Sequence, residues 1–406
     1  MIGDGWDEQP SARPGEGESA TPNAPRRVMV VTGSRADFGL LVPVIRAVTE
    51  HPGLEAQVVA AGSHLISPAE TFRDVKKHFP ITDSVPMQIA GRTTRLDDAE
   101  ATGRGIARFT RTLAAHRPHW VVVLGDRIEA FAAASAASIA GIAVAHLHGG
   151  DRAEGIADEA MRHAISKLAH LHLPATPTSA ERLVRMGELE STVHCVGSPA
   201  VDAIGAIDPM DDAAAAALGD PAVLLLMHPI GRHPEEEEHA TAIALEAIRR
   251  EIGGDSAILA LDPNHDPGRQ GVKRALDLAA EADPAAVVRR SHMPREQFVS
   301  LLKRLALRGG LIVGNSSAAL IEAAVVGLPA VNIGPRQAGR ETPNSVVTAT
   351  AENTDAVRAA WRSAIALDRS TITHPYGDGT AGPRAASALA SIDPTSAGLL
   401  RKHNCY

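Results

Sequence analysis

Between His148 and His172 the chain reads HGGDRAEGIADEAMRHAISKLAHLH, which crowds acids, histidines and arginines into one short span. Such groups exchange protons and hold anions, so the stretch is a candidate acid–base site. From Ala157 the spacing predicts a helix, with Met161, Ile165 and Leu168 on one face. Asp158 falls in its first turn and Arg162 follows at i+4. The two either form a plain intrahelical ion pair or present a carboxylate to a ligand. His170 and His172 stand beside the next strand and read as scaffold. Ahead of the helix, HGGD brings His148 and Asp151 to the end of an apolar run. Asp126 closes the run WVVVLGD in the same way, where it serves either chemistry or as a cap for the following helix.

Three further stretches suit an anion. In TGSRADFGLL a strand ends at Gly33 and a helix begins near Asp37, so free backbone N–H groups and the forked cation of Arg35 converge there. GSRADFG is not the GxGxxG fingerprint of dinucleotide binding, which argues against NAD. In GNSSAALIEA, Asn315, Ser316 and Ser317 open a helix, with Glu322 about one and a half turns in. Glu322 is read either as a helix surface acid or as a carboxylate accepting two sugar hydroxyls. In GPRQAGRETPNS, Arg336 and Arg340 follow a strand in a loop, where they are either surface charge or a clamp for a diphosphate. His228 and Asn264 also fall immediately after apolar runs. Taken singly, each of these polar residues has the simpler reading of a turn or a cap.

Continuous apolar runs alternating with helical stretches position these groups. The first set is VMVVTG, QVVAAG, WVVVLGD and AVAHLHGG. The second is AVLLLMHP, AILALDPN, AVVRRSH, GLIVGNSS and PAVNIG. That alternation predicts α/β architecture with two doubly wound, Rossmann-like parallel sheets, since strands covered on both faces are apolar throughout. Ligands in such sheets lie beyond the carboxyl ends of the strands, where the candidate residues fall. The expected organisation is a disordered tail over 1–26, rich in Gly, Pro, Glu and Ser, a first domain over 27–204, a second over 205–375, and a C-terminal helix and tail over 376–406.

With 406 residues, 44% of them hydrophobic, the chain is long enough for two cores. A formal net charge of -8 gives no footprint for nucleic acid or for an anionic membrane surface. The 2 cysteines, without metal-ligand spacing, fit a reducing cytoplasm. No apolar run is long enough for a membrane span, and no metal or other cofactor is expected.

Laid out in order, TGSRADFGLL, VVLGDRIEA, AHLHGGD, DEAMRHAISKLAHLH, MHP, LDPNHDPG, MPREQF, GNSSAALIEA, NIGPRQAGRE and YGDG resemble the UDP-N-acetylglucosamine 2-epimerase family, especially its hydrolysing branch. The resemblance runs from about Arg27 to Ser391. It implies the GT-B architecture, a UDP-sugar substrate in the interdomain cleft and a homodimer. It also implies formation of UDP and an N-acetylmannosamine-type sugar for sialic-acid-type pathways. Carried over by position, it places Arg35, Ser316, Ser317, Arg336 and Arg340 around the diphosphate, with Asp37 in the first of those loops. Glu322 is placed at the ribose, Asn264 on the nucleotide side, and Asp126, Asp158 and His228 at the sugar. Many members carry glutamate where HLHGG has His148, so His148 or Asp151 takes that role. A non-hydrolysing epimerase, a GT-B glycosyltransferase and a non-catalytic sugar-nucleotide regulator are the alternatives.

Overall fold

The computed structural model describes residues 24–67, 71–92, 94–154, 159–254, 256–264, 266–349 and 353–405. Asp158 and most of the expected N-terminal tail, residues 1–23, lie outside them. Two six-stranded parallel sheets form the frame. The first comprises β1 (Arg26–Thr32), β2 (Leu54–Ala61), β3 (Ile81–Val85), β4 (Trp120–Leu124), β5 (Ala143–Leu147) and β6 (Leu171–Leu173), in the order β3-β2-β1-β4-β5-β6. The second comprises β7 (Pro221–Leu226), β8 (Ala257–Leu261), β9 (Val287–Arg290), β10 (Leu311–Gly314), β11 (Ala330–Ile333) and β12 (Val346–Ala349), in the order β12-β11-β10-β7-β8-β9. Numbered within its own sheet, each repeats the 3-2-1-4-5-6 order of a Rossmann fold. Two such sheets with polar loops meeting between them are the GT-B architecture.

The strands fit this frame because their side chains are buried on both faces. Val28, Met29 and Val30 are fully buried although alternate residues point to opposite helical layers. β1 begins at Arg26, inside the stretch expected to be tail, and Arg26 donates to the carbonyls of Leu389 (3.2 Å) and Ile392 (2.8 Å). The first helix, Arg35–Glu50, is started by a capping box in which Ser34 and Asp37 satisfy each other's backbone N–H. The helix expected from Ser316 is instead a 3₁₀ turn, Ser317–Ala319, and a separate short helix, Glu322–Val325. Ser316 accepts from Ala318 N–H only two residues on, which tightens the chain beyond α geometry.

The helix Ala381–Ser391 returns to the first sheet. Ala385, Ala386 and Leu389 join the core under Val28, Val30 and Trp120, and Trp120 Nε1 donates to Leu389 O at 3.1 Å. Complete burial of Leu389 alone contributes roughly 2 kcal/mol. Direct contacts also tie the two sheets' loops together across the cleft. Glu154 N–H donates to Ala338 O at 3.0 Å, Arg182 pairs with Glu341 at 2.7 Å, and Arg127 reaches Asp266 at 3.3 Å.

Candidate functional site

In each sheet the strand order reverses between two neighbours, β1 and β4 in the first and β7 and β10 in the second, and the crevice there is where a ligand enters. The loops after these four strands carry Arg35 and Asp37, Asp126, His228, and Ser316 and Ser317. These sequence-predicted residues therefore fall at the two crevices, while His148 and Asp151 follow β5, Asn264 follows β8, and Arg336 and Arg340 follow β11.

After β1, Asp37 turns back on its own loop. Its carboxylate accepts from Thr32 Oγ1 (2.7 Å), Gly33 N–H (2.9 Å) and Ser34 N–H (3.0 Å), so its role here is to shape the loop rather than to offer free acceptors. Arg35 is part-exposed, 4.0 Å from Asp74, and its Nε has no hydrogen-bond partner among the described residues. Beneath the loop lies Glu129, which is 1% exposed. A Cβ on Gly33 would come within 2.5 Å of it, so only glycine lets the turn sit this close. Burial pushes the Glu129 carboxyl up to about 7, opposed by Arg127, so at neutral pH it carries a proton much of the time.

After β4, Asp126 does not cap the next helix. It forms an ion pair with Arg162. The geometry is built by the helix Glu159–Leu168, which points Arg162 inward, where its side chain is 3% exposed. Among the described residues, neither Nε nor Nη1 of Arg162 has a hydrogen-bond partner. Burial, then the nearby charges of Arg340 and Arg336, lower its pKa well below the usual value. Three guanidinium charges thus act on one another from both domains, and the buried Arg162 donors, without acceptors among the described residues, suit an anion.

After β5, His148 and Asp151 satisfy one another. His148 Nδ1 lies 2.8 Å from Asp151 Oδ2 and its Nε2 lies 3.0 Å from Ser198 Oγ, while Ser179 Oγ donates to Asp151 Oδ1 at 2.9 Å. Burial alone would raise the Asp151 pKa. His148, Arg340 and the Ser179 bond outweigh burial and hold it below the ordinary range, so it stays charged. His148 has φ 61, a strained value for a residue with a Cβ. Both ring nitrogens of His148 are engaged and both side chains are buried. Arg340 extends to Asp151 Oδ2 at 3.7 Å and donates to Arg152 O at 3.3 Å, bringing the loop after β11 onto the first domain.

In the second domain, Asn264 N–H donates to His228 Nδ1 at 3.2 Å, which leaves the imidazole proton on Nε2. Burial, followed by the charge of Arg336, lowers the His228 pKa to about 3, so the ring is neutral. The Asn315 side chain clamps the His228 backbone, accepting from its N–H and donating to its carbonyl at 2.8 Å each. Arg336 donates to Asn315 O at 3.2 Å, next to Ser316 and Ser317. Glu322 is buried and lies 3.5 Å from Arg295.

Sequence reasoning missed Arg162 as a site residue, because Asp158, four residues earlier, offered a local partner. Asp266, which joins Arg127 and Asn264, was picked out as a polar residue after a strand but given no role, and Ser198, which holds His148, was missed. Asp266 stands in LDPNHDPG, so the motif itself was the available signal. Ser198 has no local signal, because its partner is fifty positions away.

The sequence model of the family described as UDP-N-acetylglucosamine 2-epimerase matches residues 46–390. A UDP-N,N'-diacetylbacillosamine 2-epimerase (hydrolyzing) of Legionella pneumophila is 32% identical over 94% of this chain and 100% of its own. A UDP-N-acetylglucosamine 2-epimerase of Neisseria meningitidis is 30% identical over 79% of this chain and 83% of its own. Among solved structures, S. aureus MnaA with UDP has a TM-score of 0.74 at 20% identity, covering 94% of this chain and 100% of that one. A Neisseria meningitidis UDP-GlcNAc 2-epimerase bound to UDP-GlcNAc has a TM-score of 0.74 at 18% identity, covering 90% and 100%. By the family match over most of its length and by these relatives, the chain belongs to the UDP-N-acetylglucosamine 2-epimerase family.

Proposed function

We propose that the protein is a hydrolysing UDP-sugar 2-epimerase. With water it converts UDP-N-acetylglucosamine, or a UDP-2,4-diacetamido-6-deoxy sugar, to UDP and the free 2-epimeric sugar. The observation that carries this reading is Asp126 held against a buried Arg162 whose Nε and Nη1 have no acceptor among the described residues, in reach of the charges of Arg336 and Arg340. A diphosphate leaving C1 needs the cations, and the hydrogen on the adjacent carbon needs the carboxylate. The Legionella pneumophila relative, matched over its whole length, is named as hydrolysing, which supports free sugar as product over a sugar that stays on UDP.

The hydrogen on C2 has no adjacent electron sink, so departure of UDP leads. The C1–O bond breaks with its electron pair going to the diphosphate, which Arg162, Arg336 and Arg340 stabilise, with Arg35, Ser316 and Ser317 at its edges. Asp126 takes the C2 proton, and the C–H electron pair becomes the double bond of a glycal. A proton then returns to C2 from the other face while a water oxygen bonds to C1 and gives up its own proton. Asp158 is the acid assigned to that return. The His148–Asp151 pair positions Arg340, and neutral His228 offers its Nε2–H to the leaving group or to a sugar hydroxyl. Asn264 and Glu322 serve the nucleoside side, and Asp37 acts through its loop. The product suits sialic-acid-type sugar synthesis in the cytoplasm, and a homodimer is the expected assembly.

The test is incubation with each UDP-sugar in deuterated water, following UDP release and the product's C2 by NMR. Release of UDP with one deuterium at an inverted C2 is expected. Release without inversion, or release only when an acceptor is added, would overturn the reading.

A further inference from the structure

Residues 397–405 lie against the first domain, far along the chain from the site, and Lys402 enters its interior. Its Nζ donates to Ser166 O at 2.8 Å and Ala169 O at 2.5 Å, carbonyls at the C-terminal end of the helix Glu159–Leu168. It also lies 2.6 Å from Glu188, which is 1% exposed. Lys167 and His172 Nε2 each stand 2.9 Å from the same carboxylate. Asn404 Oδ1 accepts from Lys167 at 3.2 Å, and Cys405 N–H donates to Gly187 O at 2.9 Å, so several bonds fasten this segment. An ammonium at a helix C-terminus satisfies orphan carbonyls and complements the dipole.

The helix so capped carries Arg162, which pairs with Asp126. A second route reaches the same acid. Ser166 Oγ is 3.1 Å from His146 Nδ1, and His146 Nε2 is 2.7 Å from Gly125 O, the carbonyl immediately before Asp126. A carbonyl only accepts, so Nε2 carries the proton and Nδ1 is an acceptor, and the single Ser166 hydroxyl proton lies between Nδ1 and Arg162 O at 3.2 Å. Both routes begin at the last turn of the helix, where Lys402 is anchored.

We infer that Lys402 is a positioning residue for the reaction. Through the end of the helix Glu159–Leu168 it fixes Arg162 and the Ser166–His146–Gly125 chain, and thereby the orientation of Asp126. The inference rests on the proposed role of Asp126.

The test compares Lys402→Met and Lys402→Arg in the full chain, by UDP-sugar turnover and by amide hydrogen exchange. For Lys402→Met, kcat falls about tenfold with KM changed less than threefold, because a misplaced acid loses rate rather than binding. Exchange rises at least tenfold in 159–168 and 125–127 and stays unchanged in the second sheet, and Lys402→Arg recovers at least half of kcat. Unchanged exchange in 125–127, unchanged kcat, or loosening spread evenly over both sheets would overturn the inference. Exchange is readable without turnover. A wild-type protein inactive on either UDP-sugar would therefore remove the proposed activity, and the exchange would still decide whether Lys402 holds these two segments.

Discussion

Replacing Asp126 by asparagine keeps the shape of the carboxylate and removes its charge. Arg162 is 3% exposed and Asp126 17%, so the pair is poorly screened. At a contact of about 3 Å and an effective dielectric of about 20, its attraction is about 5 kcal/mol. Asparagine still offers an oxygen to one Arg162 nitrogen, so the net loss is nearer ~2–3 kcal/mol, below the full cost of stranding a buried charge. For a folding unit of this size that lowers the melting midpoint by about 5–10 °C. Turnover suffers more, because a general base contributes about 10²–10⁴-fold and asparagine cannot take the C2 proton. UDP binding moves the other way: with the carboxylate charge gone, Arg162, Arg336 and Arg340 hold the diphosphate at least as tightly as before. Calorimetry gives the midpoint and UDP titration the affinity, while NMR gives turnover below the variant's melting range. A folded Asp126→Asn protein within fivefold of wild-type turnover, or one that binds UDP much more weakly, would refute the assignment.

Two pH predictions follow from buried groups. His146 is fully buried and its pKa is lowered to about 3 by burial, so the folded state stays neutral while the unfolded state gains a proton below about pH 6.5. Its contribution is complete above pH 6.5 and is lost at about 1.4 kcal/mol per pH unit as pH falls toward 4. His146→Gln should flatten the acid limb of stability measured by urea titration at several pH values, and an unchanged slope would exclude His146 as its source. Glu129 behaves oppositely to a salt-bridged acid. Its folded pKa is raised to about 7, so stability declines as pH rises from about 4.5 to 7 and then levels. Glu129→Gln, which keeps the shape and carries no charge, should therefore gain ~2–3 kcal/mol over wild type at pH 8 and little at pH 5. Equal stability at both pH values would show that Glu129 finds a partner when ionised.

The apolar runs of the sequence determined most of the frame, because a strand buried on both faces must be apolar along its length. The three strands with no run picked out from sequence, β3, β6 and β12, are edge strands, and β6 is only three residues long, LHL. ITDSV and VVTA pair on one side only and keep partly exposed residues, so they lack the continuous apolar signal. Placing polar residues at strand ends was equally legible, and Arg35, Asp126, His228 and Ser316 all fall at the sheets' crevices. Which partner each takes was decided by tertiary structure. Arg162 had a local acid at i-4, yet the fold gives it Asp126 from a different strand. His148 and Asp151 looked like competing acids, and Ser198 and Ser179 convert them into one self-satisfied unit. Lys402 stood in a tail with no pattern, and it caps a helix more than two hundred positions earlier. Side-chain spacing reports only neighbours within a turn or a strand. Hydrogen bonds and ion pairs depend on distances of about 3 Å, which packing sets between segments that carry no sequence record of each other.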